Sequence, residues 1–72
     1  MTAELEYLAY AMERYRAAKG MSPAEVAALF RERGLSQVVV DNYYLYHIES
    51  AEHMIADLDH WLETGSHLDA AW

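Results

Sequence analysis

Cysteine is absent from this 72-residue chain, and proline and glycine are scarce, with one and three copies. Without cysteine, neither a disulfide framework nor a thiolate metal site can form. No uncharged apolar run approaches the ~20 residues that a membrane span needs. The start, Met1-Thr2-Ala3-Glu4, lacks the basic-then-apolar order of a secretion signal. We therefore expect a cytoplasmic protein that folds by packing alone.

Apolar residues are abundant and make up 54% of the chain, including six tyrosines, two tryptophans and one phenylalanine. This composition is too apolar for an intrinsically disordered chain. A chain of this length forms one domain, near the size at which a single core barely offsets the conformational entropy lost on folding. The sequence therefore predicts one small, tightly packed domain.

Charge is divided unevenly along the sequence. Residues 1–33 carry five acidic and five basic side chains, whereas residues 34–72 carry seven acidic side chains and neither Lys nor Arg. The formal net charge of −7 therefore lies in the second half. That half would repel a phosphate backbone and attract a basic protein surface. A solvated acidic face and a partner-directed one both fit this pattern.

Helix start and stop signals divide the chain into four predicted helices. The clearest start is Ser22-Pro23-Ala24-Glu25, in which Ser22 caps, Pro23 fits the first turn and Glu25 completes a capping box. The three glycines fall between the periodic segments, where helices end. The predicted helices run from about Thr2 to Lys19, from the Ser22 cap to Gly34, from a Ser36 cap through Tyr46, and from the Ser50 cap to about Thr64.

More apolar surface is present than one small bundle easily buries. Two stripes on the first helix are Leu5, Leu8, Met12 and Tyr15, predicted to face the core, and Tyr7, Tyr10 and Ala11, with Arg14 at its end. The third helix is apolar around most of its circumference, so it must be central or face another chain. Trp72 adds a further ring in the tail. Either an exposed partner surface or a tight core with partly exposed tyrosines would account for this surplus of apolar residues.

The fourth predicted helix has an apolar and a polar face. Its inward residues are Met54, Ile55, Leu58, Trp61 and Leu62, and its outward residues are Glu52, His53, Asp57, Asp59, His60 and Glu63. His53, Asp57 and His60 share one helix face, and imidazoles with a carboxylate can ligate zinc. Their spacing matches no known metalloenzyme motif, and an exposed polar stripe is the alternative. We predict no metal and no cofactor.

Catalytic residues are not indicated anywhere in the sequence. Ser22, Ser36 and Ser50 are assigned to helix caps, and no glycine-rich phosphate loop exists. The single lysine, Lys19, lies at a helix end. If His47 is half-buried at the junction of the third and fourth predicted helices, it would hydrogen-bond a helix-end carbonyl, and a pH-sensing role is the alternative. We therefore predict a protein that is not an enzyme, and the role of His47 stays open.

The second and third predicted helices, with the turn at Gly34 between them, resemble a helix-turn-helix. The recognition helix would offer Ser36, Gln37, Asp41 and Asn42, and no basic residue. A reader of the major groove needs phosphate contacts around it, for which Arg31 and Arg33 are few. A DNA-binding dimer is therefore an alternative interpretation, and nucleic acid is not the expected partner.

A family resemblance spans roughly residues 4–64. The matching motifs are Leu5-x-Tyr7-Leu8-x-Tyr10, Tyr15, Ser22-x-x-Glu25-x-x-x-Leu29-Phe30, Tyr43-x-x-Tyr46-His47 and Asp57. The chain resembles a small uncharacterised bacterial family of single-domain helical proteins, classed as a domain of unknown function. Its members are often encoded beside ADP-ribosyltransferase-like toxin genes. The resemblance implies a helical fold and, for some members, an antitoxin or immunity role.

These observations predict an all-α, compact, single-domain bundle of four helices over residues 1–65, followed by a tail over residues 66–72. The predicted function is a non-enzymatic interaction module that occludes a basic surface of a larger protein. A homodimeric structural protein is a further alternative. The residues predicted to bind the partner are Tyr7, Tyr10, Arg14, Tyr44, Asp57, Asp59, Glu63 and Trp72.

Overall fold

Five helices account for most of the chain in the computed structural model, which describes residues 2–68. They are α1 (Ala3–Lys19), α2 (Pro23–Glu32), α3 (Leu35–Asp41), α4 (Tyr43–Ile48) and α5 (Ala51–Thr64). No strand occurs within residues 2–68. The prediction of an all-α, compact helical bundle is confirmed.

The predicted third helix is broken into two short helices at Asn42. The backbone of Asn42 leaves the helical region, with φ −110° and ψ 18°. Its side-chain Nδ2 donates to the carbonyl oxygen of Val38 at 2.8 Å, and its backbone N–H donates to the same oxygen at 3.1 Å. An asparagine side chain that competes for backbone acceptors in this way favours a helix end. The prediction of one continuous helix here was wrong.

Side-chain caps begin three of the five helices as predicted. The hydroxyls of Thr2, Ser22 and Ser50 each accept a backbone N–H in the first turn, and Glu25 completes the capping box. The predicted Ser36 cap was wrong, because α3 already begins at Leu35 and has no side-chain cap. Its N-cap position is Gly34, whose φ of +68° is a conformation that glycine adopts without strain.

The core lies where α1, α2, α3 and α5 meet, with one residue of α4. Its fully buried large side chains are Tyr46, Phe30, Leu35, Met54, Leu58, Val39 and Asp57. On α1 the inward face is centred on the buried Ala11 and Tyr15 and takes residues from both predicted stripes, whereas Tyr10 is 46% exposed. Leu5, predicted to face the core, is instead 49% exposed, because it lies at the start of α1 beyond the edge of this core.

Polar bonds tie α5 to the helices of the first half. The hydroxyl of Tyr15 donates to Asp59 at 2.7 Å, and Lys19 Nζ reaches the other oxygen of that carboxylate at 2.5 Å. Arg33 Nη2 donates to the carbonyl of Leu62 at 2.9 Å. The acidic residue Asp59 of the second half is thus paired with the base Lys19 of the first. Among residues 2–68, no helix combines the length and apolar character required to cross a membrane.

Candidate functional site

Four tyrosines and a histidine form a continuous series of rings across α1 and α4. The ring of Tyr7 lies 5.5 Å from that of Tyr10 and 5.7 Å from that of Tyr43, the latter edge-on. Tyr43 in turn stacks on His47 at 4.3 Å with planes 8° apart, and His47 meets the edge of Tyr44 at 5.6 Å. We call these five residues the aromatic cluster. Such tilted and stacked pairs stabilise one another beyond the area they bury.

The solvent side of the aromatic cluster is unusually apolar for a surface. Tyr44 is 71% exposed, and its neighbours on the same helix, Leu45 and Ile48, are 42% and 58% exposed. Within residues 2–68, every large hydrophobic side chain classed as exposed belongs to α1 or α4. The sequence of α4 contains no Asp, Glu, Lys or Arg. An uncharged apolar helix face in water is typical of an interaction surface.

The structure defines the protonation state of Tyr7 and the tautomer of His47, two members of the aromatic cluster. Burial, followed by the neighbouring hydroxyl of Tyr10, raises the pKa of Tyr7 to about 12, so its phenol stays neutral at physiological pH. His47 Nδ1 lies 2.9 Å from the carbonyl oxygen of Tyr43, so this nitrogen carries the hydrogen and donates it. The acceptor is the carbonyl of the first residue of α4 rather than one at a helix end, and His47 is exposed rather than half-buried, so this prediction was wrong in both details.

Arg14 lies at the edge of the aromatic cluster, as the sequence predicted. Its guanidinium carbon is 5.9 Å from the centre of the Tyr10 ring, a distance compatible with a cation–π contact. Its Nη2 lies 3.8 Å from a carboxylate oxygen of Glu52 on α5. Both side chains are largely exposed, so this ion pair contributes little to stability. The predicted residues Tyr7, Tyr10, Arg14 and Tyr44 therefore lie around one surface.

The three predicted acidic contacts have different fates. Asp57 is fully buried, so its prediction as an outward-facing residue was wrong. Asp59 is half-buried and bonded to Tyr15 and Lys19, and it is therefore compensated. Glu63 is exposed. Trp72 lies outside the described residues.

Asp57 is the centre of a buried hydrogen-bond network. Its carboxylate accepts the hydroxyl of Tyr46, the Nδ1–H of His67 at 2.7 Å and the backbone N–H of Leu68 at 2.5 Å. Burial alone would raise the pKa of Asp57, but the bonds from Tyr46, Leu68 and His67 together hold it below its ordinary value. The ionised carboxylate is thus retained inside the bundle.

Sequence reasoning missed this network, although one signal for it was present. Asp57 lies three residues after Met54, next to Leu58 and four residues before Trp61, and all three were predicted to face inward. This spacing places its side chain at the margin of the apolar face. The partner His67 had no such signal, because it belongs to the segment after α5.

His53 and His60, which share a helix face with Asp57 in the sequence pattern, each lie close to another polar group. His53 Nδ1 lies 3.8 Å from Glu49, and His60 Nδ1 lies 2.9 Å from the carbonyl oxygen of Ser66. Asp57 is directed into the core. In the described part of the chain, no group of three His, Asp or Glu side chains is arranged to hold a metal ion.

The recognition helix that a helix-turn-helix would require corresponds to α3, which is short. α3 has seven residues, of which Val38 and Val39 are buried, while Gln37 and Asp41 are exposed and bonded to each other at 2.6 Å. Neither α3 nor α4 carries Lys or Arg. Their exposed sides therefore lack the phosphate-neutralising groups on which DNA affinity rests.

The fold and surface define a small all-α domain whose exposed apolar residues cluster on two helices, with no pocket in the surface of residues 2–68. A family model described as a protein of unknown function (DUF3791) matches residues 6–64. The chain belongs to this family. Searches of the curated proteins and of the solved structures found no match.

Proposed function

We propose that this protein is a non-enzymatic interaction module that binds another protein through the exposed side of the aromatic cluster. The observation that carries this proposal is the uncharged face of α4, where Tyr44, Leu45 and Ile48 lie in solvent beside the ring series. Tyrosine-rich surfaces of this kind supply large contact area with little loss of side-chain freedom.

The proposed partner presents an apolar site flanked by basic residues. The chain carries a net charge of −7. The exposed acids Asp41 and Glu49 lie on either side of α4, and the exposed Glu52 lies in the first turn of α5. Negative charge around an apolar centre accelerates encounter with a basic surface and disfavours acidic ones. An apolar surface that docks over a basic site excludes the natural ligand of that site, so the expected effect is occlusion.

The resemblance to a bacterial family encoded beside ADP-ribosyltransferase-like toxin genes supports a more specific version of this function. In that version the module is a cytoplasmic, antitoxin-like or immunity-like protein, and its partner is the product of the neighbouring gene. Occlusion of a basic substrate-binding surface would inhibit such a toxin without chemistry by this chain. The module would need neither a metal nor a cofactor.

Purification of the tagged chain from its native cell, followed by reconstitution, tests the proposal. We expect one stoichiometric protein partner with a basic surface and no nucleic acid. With the purified partner, the double variant Tyr44→Ser/Ile48→Ser should weaken binding at least about tenfold, because buried interface anchors typically contribute more than 1 kcal/mol each. The measurement is titration calorimetry at two salt concentrations.

Ala27→Ser on the exposed side of α2 is the matched control and should bind as the wild type does. Equal binding by the double variant would contradict the proposal. Sedimentation equilibrium distinguishes the homodimer alternative. If the purified chain is already a dimer that Tyr44→Ser dissociates, a second copy covers the aromatic cluster and the heterologous partner is wrong.

A further inference from the structure

We propose that His67 is a positioning residue for α4, which it holds in place from outside the helical bundle. His67 connects Asp57 of α5 to Asn42, the residue at which α4 begins. Its effect on partner binding rests on the proposed function, whereas its effect on α4 does not. Nothing in the local pattern of the sequence assigns this histidine a role.

The chain turns back after α5 to bring His67 into position. Gly65 ends α5 with a φ of +75°, and residues 66–68 then lie against the helix they have just left. The backbone N–H of Leu68 bonds one oxygen of Asp57, and His67 bonds the other. The imidazole also lies 4.8 Å from the ring of Trp61. Residues 66–68 therefore form a strap across one side of α5.

The hydrogen bonds determine the tautomer of His67. Asn42 Nδ2 donates to the carbonyl oxygen of Val38 at 2.8 Å and lies 3.2 Å from His67 Nε2. An amide nitrogen has two hydrogens and cannot accept, so His67 Nε2 must be the unprotonated acceptor. The hydrogen then lies on Nδ1, from which it is donated to Asp57. Every member of this chain of bonds has the donor or acceptor that its neighbour requires.

The helix α4 depends on such anchors because it has only six residues. Helices this short are unstable on their own, since the cost of nucleation is not recovered. Two anchors hold α4, Asn42 at its start and the buried Tyr46 in its middle. Tyr46 bonds Asp57, and both Asp57 and Asn42 bond His67. The strap therefore closes a ring of bonds through the break between α3 and α4, α4 itself and α5.

Native-state hydrogen exchange of His67→Ala tests the proposal without any partner. The reporters are the amide of Tyr46, bonded to the Asn42 carbonyl at 3.0 Å, and that of Glu49, bonded to the Tyr46 carbonyl at 3.2 Å. Loss of two hydrogen bonds should speed their exchange by about tenfold. The amide of Val26 in α2 and that of Arg33, directly after α2, should exchange as slowly as they do in the wild type.

His67→Gln is the conservative variant, because its amide can donate to Asp57 and accept from Asn42. It should restore slow exchange in α4. Unchanged protection of Tyr46 and Glu49 in His67→Ala overturns the proposal. An equal loss of protection in α2 also overturns it, because His67 would then contribute to global stability alone.

The wild-type protein provides a test that does not depend on a variant that folds. In the neutral form of the His67 imidazole, the nitrogen chemical shifts should show hydrogen on Nδ1 and none on Nε2. The opposite tautomer would overturn the proposal, since Nε2–H cannot accept from Asn42. If α4 loosens in His67→Ala but partner binding is unaffected, the positioning role stands and the binding surface proposed above is wrong.

Discussion

The buried hydroxyl of Tyr46 donates to the buried carboxylate of Asp57, and this bond joins α4 to α5. Burial, then the bond to this carboxylate, raises the pKa of Tyr46 above its ordinary value. The same bond helps to lower the pKa of Asp57. The pair is therefore a neutral phenol and an ionised carboxylate at physiological pH. A buried charge is tolerated here because several donors replace its lost hydration.

Removal of the Tyr46 hydroxyl should destabilise the fold. Tyr46→Phe leaves the carboxylate of Asp57 with one donor fewer in a site closed to water. We expect a loss of about 1–3 kcal/mol in the free energy of unfolding, measured by urea denaturation. Tyr44→Phe is the matched control, because Tyr44 is 71% exposed, and it should change stability by less than about 0.5 kcal/mol. Equal stability of the two variants would show that Asp57 gains nothing from the phenol.

Stability should fall in acid because of Asp57. A carboxyl whose pKa is lower in the folded state binds fewer protons there than in the unfolded chain, so the unfolding free energy rises with pH. The contribution of Asp57 is complete well above its ordinary pKa of 3.8 and is lost as the pH falls through the lower folded value. Urea denaturation at a series of pH values, with a carbon NMR titration of Asp57, measures both quantities.

Glu13 and Glu25 also make the free energy of unfolding rise with pH, because the pKa of each is lowered in the folded state. A hydrogen bond from Arg16 lowers the pKa of Glu13, and hydrogen bonds from Ser22 lower that of Glu25. Tyr46→Phe separates the contribution of Asp57 to this pH dependence from that of the two glutamates. It should make the fall of unfolding free energy in acid less steep, whereas Tyr44→Phe should not. A folded-state pKa of Asp57 at or above 3.8 would contradict the assigned network.

Two serines that look alike in sequence should respond differently to alanine. Ser22 caps α2 and accepts the N–H of Glu25 at 3.1 Å, whereas Ser36 lies within α3 and caps nothing. Ser22→Ala should cost about 1 kcal/mol of unfolding free energy. Ser36→Ala should be neutral or slightly stabilising, because alanine favours helix interiors. Thermal denaturation of both variants measures the two changes. An equal loss of unfolding free energy in both would show that Ser36 does act as a helix cap.

The turn between α2 and α3 should require glycine for backbone reasons alone. Gly34 has a φ of +68°, and a Cβ built there meets no atom within 4 Å. Gly34→Ala should therefore destabilise by about 1–2 kcal/mol through backbone strain, without any clash. Gly34→Asn should cost less, because asparagine tolerates this conformation. Urea denaturation gives both values, and a larger loss with asparagine than with alanine would contradict this explanation.

The sequence alone determined where most helices begin and end, because capping depends on residues three or four positions apart. Ser22 and Glu25 show this, as does the stop at Gly20, whose N–H bonds the carbonyl of Ala17. The break at Asn42 escaped prediction, since apolar residues continue on both sides of it. The candidate surface was partly predicted, because Tyr7, Tyr10, Arg14 and Tyr44 were all identified from the surplus of rings.

Only the tertiary structure decided which polar residues are inside and which rings meet. Asp57 was assigned to the surface because its buried donors come from other segments, Tyr46 eleven residues before it and His67 ten residues after it. Asp59 is likewise compensated by Tyr15, 44 residues away. Local periodicity carries no information about contacts at such separations, because they depend on how the helices pack. The local sequence therefore specified the helices, because caps and apolar periodicity act over a few residues. Packing between the helices determined the hydrogen-bond network of Asp57 and the exposed aromatic face.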